Sequence, residues 1–594
     1  MTKGIVYVHP SDAGAPAMTR ASGMARESYA QARMVGWYDP GQLTRTGASV
    51  AVSTIFGRNA DQRTLEALRA APIEYFDYSV DDAGTPRSDL WIDYVADAGD
   101  GFDSTYAVAS TVAHKALDLT DPTGARHATE RGRILVFGGD LVYPVAQREQ
   151  YEQKLVMPYE QALPSSTAPH PDVYAVPGNH DWYDSLVSFT RRFCSKRWFA
   201  GWRTQQSVSY FALKLPHDWW LLGTDVQLDS DIDSDQVEYF KAVAATMNDR
   251  ARIILCNAEP HWIYEKKYAK FDKAYCDNKL QFLEERVFHR RIAVFLAGDL
   301  HHYRRHSDGC DHHKIVAGGG GAFLHATHGS DVDTLPGLDA EPPYRLACSY
   351  PQPSVSRRLT WGNLAFPIKN AWFGLITGLL YLLTCRAVDA QVATLGLGDI
   401  AEVANRVACA TLRGPTALFW VVIVVAGVVL FTDTHSKRYR LFGGIAHAIA
   451  HLAAVFFLGW GAAWLVGRAA LSTAPHLVSI GALVFVAGWL VGPLVLGAYL
   501  FISLNVFGRH HNEAFSSLAI PDWKNFLRLH IDDSGALRIY PIGIDRVPRT
   551  WRSVSSGPRL VSSDRRATPP RLIEPPIEIP SESSSTGRSR SRSL

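Results

Sequence analysis

Between Arg133 and Asp184, two apolar runs, RILVFGGD and DVYAVPGNHD, each end abruptly in residues of the kind that bind cations. An uninterrupted apolar run of this length reads as a strand buried on both faces, as in a parallel sheet. In open α/β sheets, ligands collect beyond the carboxyl ends of such strands. Asp140 closes the first run, and Asn179 and His180 close the second, so all three are directed to one crevice. This stretch demands a sheet covered on both faces, with a site along one of its ends.

The arrangement recurs on either side. DLWIDYVADAGDGFDST (89–105) reads as a strand ending at Asp97, then a glycine-containing loop, then a helix from near Ser104 capped by Asp103 or Ser104. Residues 209–229 read as two strands, the second ending at Asp225, with a helix from about Ser234. RIILCNAEPHW (252–262) is a strand ending near Asn257, Glu259 and His261. RIAVFLAGDLHHYRRH (291–306) is a strand ending in Asp299, His301 and His302. KIVAGGGGAFLH (314–325) closes the domain with a strand and a four-glycine loop, which lets backbone approach a ligand closely.

At 594 residues the chain is too long for one core. Residues 1–85 read as an extension packed on the catalytic domain, with helical patches around 20–38 and 60–71. The run VAVSTIFG at 50–57 is too short to span a bilayer. The α/β domain covers 86–330, and 331–367 is a proline-containing linker. Charge then almost vanishes until 508. Four apolar segments, at about 371–388, 416–432, 441–466 and 477–504, make 368–508 a transmembrane domain. With four spans, Arg357, Arg358, Lys369, Lys437, Arg438, Arg440 and Arg509 share one face, and Arg386, Arg406, Arg413 and Arg468 share the other. The denser group places the soluble domain and the C-terminus in the cytoplasm. Residues 509–550 form a β-hairpin about the DDSG turn at 532–535, and 551–594 is a Ser-, Pro- and Arg-rich disordered tail.

Seven cysteines without a C-x-x-C pair fit free thiols in a reducing compartment. The first residues lack the apolar core of a signal peptide, and the soluble half is expected not to be exported by one. A net charge of +2 points to no nucleic-acid partner. His447 and His451, one helical turn apart in the third span, read first as histidines hydrogen-bonded between helices and second as a metal or heme site.

Asp97, Asp140, Asn179, His180, Asp299 and His301 together mix hard oxygen donors with imidazole, a set suited to Mn, Fe, Zn or Mg. GGD at 138–140, GNHD at 178–181 and GDLHHY at 298–303, in this order, resemble the calcineurin-like metallophosphoesterase superfamily. DAGDGFDST (97–105) and GDLHHYRR (298–305) are similar to segments of its purple acid phosphatases. The chain also resembles a bacterial membrane-anchored branch of that superfamily, which implies the bacterial inner membrane. The resemblance covers roughly 89–325. It implies a four-layer αββα sandwich and hydrolysis of a phosphomonoester or phosphodiester by a water activated between two divalent metal ions. It implies Asp97 and His301 on the first metal, Asp140 bridging, Asn179 on the second and His180 as catalytic imidazole. Asp181 and His302 stand behind these or beside the phosphate.

Three positions depart from the family pattern. Phe102 stands where a ligating tyrosine is expected, Asp299 replaces a histidine, and the lone-histidine motif reads AEP at 258–260. Ala258 falls on the ligand position, and Glu259, Asn257 or His261 is left to substitute for it. The alternative reading is therefore a catalytically weakened module that binds phosphate ligands and regulates or senses through its membrane domain. Membrane lipid is the further expected partner.

Overall fold

The computed structural model describes residues 5–8, 31–47, 73–165, 170–226, 231–268, 278–288, 291–329, 332–337, 342–389, 400–432, 436–469, 471–554 and 559–581. The helical patch expected at 60–71 and the run 50–57 lie outside these, as does most of 20–38, whose described part is not helical.

The continuous apolar runs become adjacent parallel strands. Leu90–Val95, Ile134–Gly138 and Asp172–Val176 pair in that order, and the last two are buried at every residue. They are the centre of a nine-stranded mixed sheet. A ten-stranded mixed sheet carries Phe211–Lys214, Trp219–Gly223, Arg252–Cys256, Ile292–Ala297 and His313–Ala317.

Alternate side chains of a strand point to opposite faces, and the cores divide accordingly. Val136 joins Ile92, Tyr94, Phe211, Ile254, Leu296 and Ile315 in a cluster fed by both sheets, so the sheets face each other. Its neighbour Phe137 points the other way, onto Tyr106, Tyr159 and Phe193 of helices outside the nine-stranded sheet. Leu222, Ile253 and Phe295 pack outward onto Phe240 and Trp262, covering the far face of the ten-stranded sheet.

Four readings change. The helix after Asp97 is Phe102–Ala113, with Gly101 at its N-cap. Asp103 instead accepts from the Trp551 indole at 2.8 Å, and the Ser104 hydroxyl donates to the Gly321 carbonyl at 2.5 Å. Within the expected linker, Tyr344–Tyr350 pairs with Tyr303–Ser307 at the end of the ten-stranded sheet. The hairpin Lys524–Ile531 and Leu537–Ile544 is not a separate unit, because its first strand pairs with Leu90–Val95. Part of the tail read as disordered is ordered: Arg571–Leu572 and Ile577–Ile579 pair with Leu537–Ile544. Glu574 between them takes an ion pair from Arg305 at 2.6 Å.

The apolar segments form the helices Phe373–Asp389, Pro415–Phe431, Lys437–Val466 and Thr473–Phe507. The last two are each long and apolar enough to cross a membrane. The first two qualify only when each is joined to the bent helix preceding it, so the described chain holds two to four candidate spans. Because the strands 90–95 and 524–531 flank this region and pair with each other, both ends leave it on one side. Any crossings of a membrane by this region would therefore be even in number. In the bundle, His447 and His451 bond to each other at 3.0 Å, and His451 to the Tyr381 hydroxyl at 2.7 Å.

Candidate functional site

Three strand ends share an unusual backbone. Asp97, Asp140 and Asp299 have φ of 57°, 50° and 64°, the left-handed region that side chains other than glycine seldom adopt. Aspartate tolerates it better than most, and such conformations persist where surrounding structure enforces them. Here the enforcement is a ladder between loops: the Asp97 amide donates to the Gly139 carbonyl (3.0 Å) and the Ala98 amide to the Asp140 carbonyl (3.1 Å). The Ala322 amide caps the Asp97 carbonyl at 2.9 Å. The four-glycine loop lies so close that a Cβ on Gly321 would sit 2.0 Å from the Ala98 carbonyl oxygen, and one on Gly318 2.3 Å from an Asp97 carboxylate oxygen. Its purpose is this close approach.

The carboxylates converge on a residue that sequence reasoning missed. The Tyr143 hydroxyl lies 2.8 Å from Asp97 Oδ1, 3.2 Å from Asp140 Oδ2 and 2.9 Å from His301 Nε2. His301 Nδ1 sits 2.8 Å from the Phe323 carbonyl and must donate to it, so Nε2 is a bare lone pair. Two carboxyl groups and one imidazole lone pair thus surround one hydroxyl. A phenol reaches these carboxylates from the loop after Asp140, whereas Phe102 stacks on Tyr106 in the core. The signal was present as the tyrosine of GDLVY, three residues beyond Asp140.

Burial raises the Asp140 carboxyl to about 7 and, with the nearby Asp140 charge, that of Asp299 to about 8. Asp97 is pushed well above the usual range by burial and by the Asp140 and Asp299 charges. Such a cluster holds protons for want of positive charge. The surplus of lone pairs and acid groups is what a hard cation satisfies, so the donor chemistry of Asp97, Asp140, Tyr143 and His301 fits one. Among the described residues, however, no three His, Cys, Asp or Glu side chains by themselves close to metal-binding spacing.

The remaining candidates separate. The Asp299 amide donates to Asp97 Oδ2 at 2.8 Å, and its carboxylate accepts from the Tyr264 hydroxyl. His180 is ringed by Trp37, Tyr143 and Tyr183. Its amide donates to Asp140 Oδ1 at 2.9 Å and its Nδ1 to the Pro144 carbonyl at 2.7 Å, leaving Nε2 as acceptor. Burial lowers its pKa to about 4. Asn179 is exposed beside it. Asp181 reaches no solvent. It accepts from the Gly178 and Leu141 amides (2.9 and 3.2 Å) and the Tyr151 hydroxyl (2.5 Å), tying the two loops together. His302 is buried, with neither ring nitrogen hydrogen-bonded.

At the position read as the lone histidine, the Ala258 Cβ would lie 2.6 Å from a Cβ on Gly139, so residue 258 does border the site. Its neighbours are not equivalent substitutes. His261 is engaged by Glu284 at 2.9 Å and by Asn257 at 3.1 Å. Glu259 is half-buried next to Ala258.

No family model and no curated protein matches the chain. Among solved structures, it is similar to GAP50, described as the anchor in the inner membrane complex of Plasmodium. The TM-score is 0.29 and the identity 12%, over 41% of this chain and 76% of that one. It is also similar to PhoD, with a TM-score of 0.27 and 9% identity, over 42% of this chain and 60% of that one. The match thus spans about three fifths of PhoD. Likeness at this level carries no argument about chemistry.

Proposed function

We propose that the chain is a membrane-anchored, metal-dependent phosphoesterase whose soluble half is a four-layer αββα sandwich. The observation that carries this reading is the meeting of Asp97, Asp140 and His301, from three strand ends, around the Tyr143 hydroxyl. Asp97, Asp140, Tyr143 and His301 would hold one divalent cation, and Asp140, Asn179 and Asp299 are the donors for a second. Glu259 is the candidate replacement for the absent histidine. Such ions (Mn, Fe, Zn or Mg) supply Lewis acidity and an acidified water.

The chain's own groups do the rest. In hydrolysis the water oxygen bonds to phosphorus, the ester P–O bond breaks, and a proton must reach the leaving oxygen. His180 Nε2, kept as an acceptor by the bond from Nδ1 to Pro144, takes that proton and returns it. Asp181 fixes the relative position of the 140 and 180 loops. We place the soluble domain and the C-terminus on the cytoplasmic face of a bacterial inner membrane.

The test is turnover of an aryl phosphodiester and an aryl phosphomonoester by the full chain, with each metal or a chelator, beside Asp140→Asn. Metal-dependent hydrolysis lost in the variant is the expected result. Full activity in Asp140→Asn overturns the assignment. The exposed Asn179 and the alanine at 258 favour a second reading, a phosphate-binding module with weakened catalysis. In that case a metal count finds less than one tightly bound equivalent and no ester is turned over.

A further inference from the structure

A cavity of about 290 Å³ opens beside Asp299, near the lower end of ligand-pocket sizes, roughly 300–1,000 Å³. One wall is His302, Arg304, His325 and His328 from the soluble domain, and the facing wall is Gly508–Glu513, which begins where the helix Thr473–Phe507 ends. The lining is rich in polar atoms that the described residues leave without a close hydrogen bond. Both ring nitrogens of His302, Nε2 of His325, His328 and His511, and Nε of Arg304 are buried with no close hydrogen-bond partner among the described residues. His302 and His328 are 3% and 5% exposed. Leaving buried polar groups unpaired is costly, and here they surround one space.

The wall is built to hold this shape. Gly329, at φ +147°, lets the His511 ring approach to where a Cβ would be 2.4 Å away. His328 Nδ1 bonds the Ser356 hydroxyl at 2.7 Å, anchoring the loop to the helix Pro353–Leu359. Arg304, Arg509 and Lys267 give the lining three cations against the acid groups of Asp299 and Glu513. The space therefore suits an anion with several acceptor oxygens.

The location says where that anion comes from. Val506 and Phe507, just before the cavity wall, are 69% and 55% exposed, and Trp361 and Trp372, just beyond Ser356, are 61% and 63% exposed. Exposed tryptophans beside apolar helices mark the level of lipid headgroups. The cavity thus joins the Asp299 end of the candidate site to the membrane interface.

We propose that this cavity receives the phosphate-bearing headgroup of a membrane lipid, making lipid phosphate esters the substrate class. The substrate claim rests on the phosphoesterase reading above, but binding can be tested without turnover. The full chain in dodecyl maltoside with chelator is titrated with dihexanoyl phosphatidic acid, dihexanoyl phosphatidylcholine and inorganic phosphate. Phosphatidic acid is expected to bind saturably and at least about tenfold more tightly than the other two, the worth of one charge-assisted contact. Arg304→Gln and Arg509→Gln are each expected to weaken it about tenfold. Arg509 is half-exposed, so its variant keeps the test valid should Arg304→Gln fail to fold.

Binding of phosphatidic acid no tighter than phosphatidylcholine, or unchanged in Arg509→Gln, overturns the proposal. Inorganic phosphate binding as tightly as phosphatidic acid overturns the lipid source and leaves an oxyanion site. Asp140-dependent hydrolysis of aryl esters without lipid binding removes this proposal alone. Lipid binding without any hydrolysis removes the phosphoesterase reading alone.

Discussion

At the residue scale, Tyr143 and Lys524 give the sharpest tests. Tyr143→Phe removes the hydroxyl that Asp97, Asp140 and His301 share. We expect kcat on an aryl phosphodiester to fall about 10²-fold, the scale at which positioned polar groups act, with folding retained by circular dichroism. Lys524 is fully buried, and its ammonium donates to the Ala322 carbonyl. Burial lowers its pKa to about 8, against roughly 10.4 in an unfolded chain. Unfolding takes up a proton between these values, so stability rises with pH from about 8 to 10.4. Below pH 8 the group is charged in both states, and the buried charge costs on the order of 3 kcal/mol. Lys524→Met is therefore expected to raise the apparent melting temperature at pH 7, with the difference closing above pH 10. A constant difference across that range would show that Lys524 is not the group responsible.

At the element scale, the hairpin after the membrane region is structural to the soluble domain. Arg528, buried on the strand 524–531, holds Asp93 of the strand 90–95 at 2.7 Å and donates to the Val112 carbonyl at 3.2 Å. Removing one partner of a buried pair leaves the other charge uncompensated. Arg528→Ala is expected to destabilise the domain by about 3–5 kcal/mol, read as a lowered denaturation midpoint of the detergent-solubilised chain. A chain ended at 508 would leave the strand 90–95 as an open apolar edge. It is expected to aggregate, whereas one ended at 581 stays monodisperse in size-exclusion chromatography.

At the scale of the whole molecule, the pairing of strands on either side of the apolar helices limits membrane crossings to two or four. The two are separated by Cys409, exposed at the end of Ile400–Arg413, and Cys310, exposed in the soluble domain. With four spans, a membrane-impermeant thiol reagent is expected to reach Cys409 only from the face opposite Cys310. Labelling of both from one face would make the first two helix pairs re-entrant and the count two.

The buried parallel strands, their order of ligand-type endings and the apolar helices were legible in the sequence. Each follows from a local periodicity: a continuous apolar run, a break at an acid, a long stretch without charge. Asp97, Asp140 and Asp299 stood out because each ends an apolar run, and the structure brings the loops that carry them together. Tertiary structure alone decided what meets what. Tyr143 lies only three residues past Asp140, but its hydroxyl joins the site through contacts with Asp97 and His301, 46 and 158 residues away in the chain. The hairpin at 524–544 alternates like an independent unit, because period-two patterning records which faces are buried and not which strand lies alongside. The ordered tail reads as polar coil because its strands, Arg571–Leu572 and Ile577–Ile579, are only two and three residues long, although Leu572, Ile577 and Ile579 are buried in the core. They are held by ladder hydrogen bonds and the Arg305–Glu574 ion pair, which exist only once distant segments are side by side.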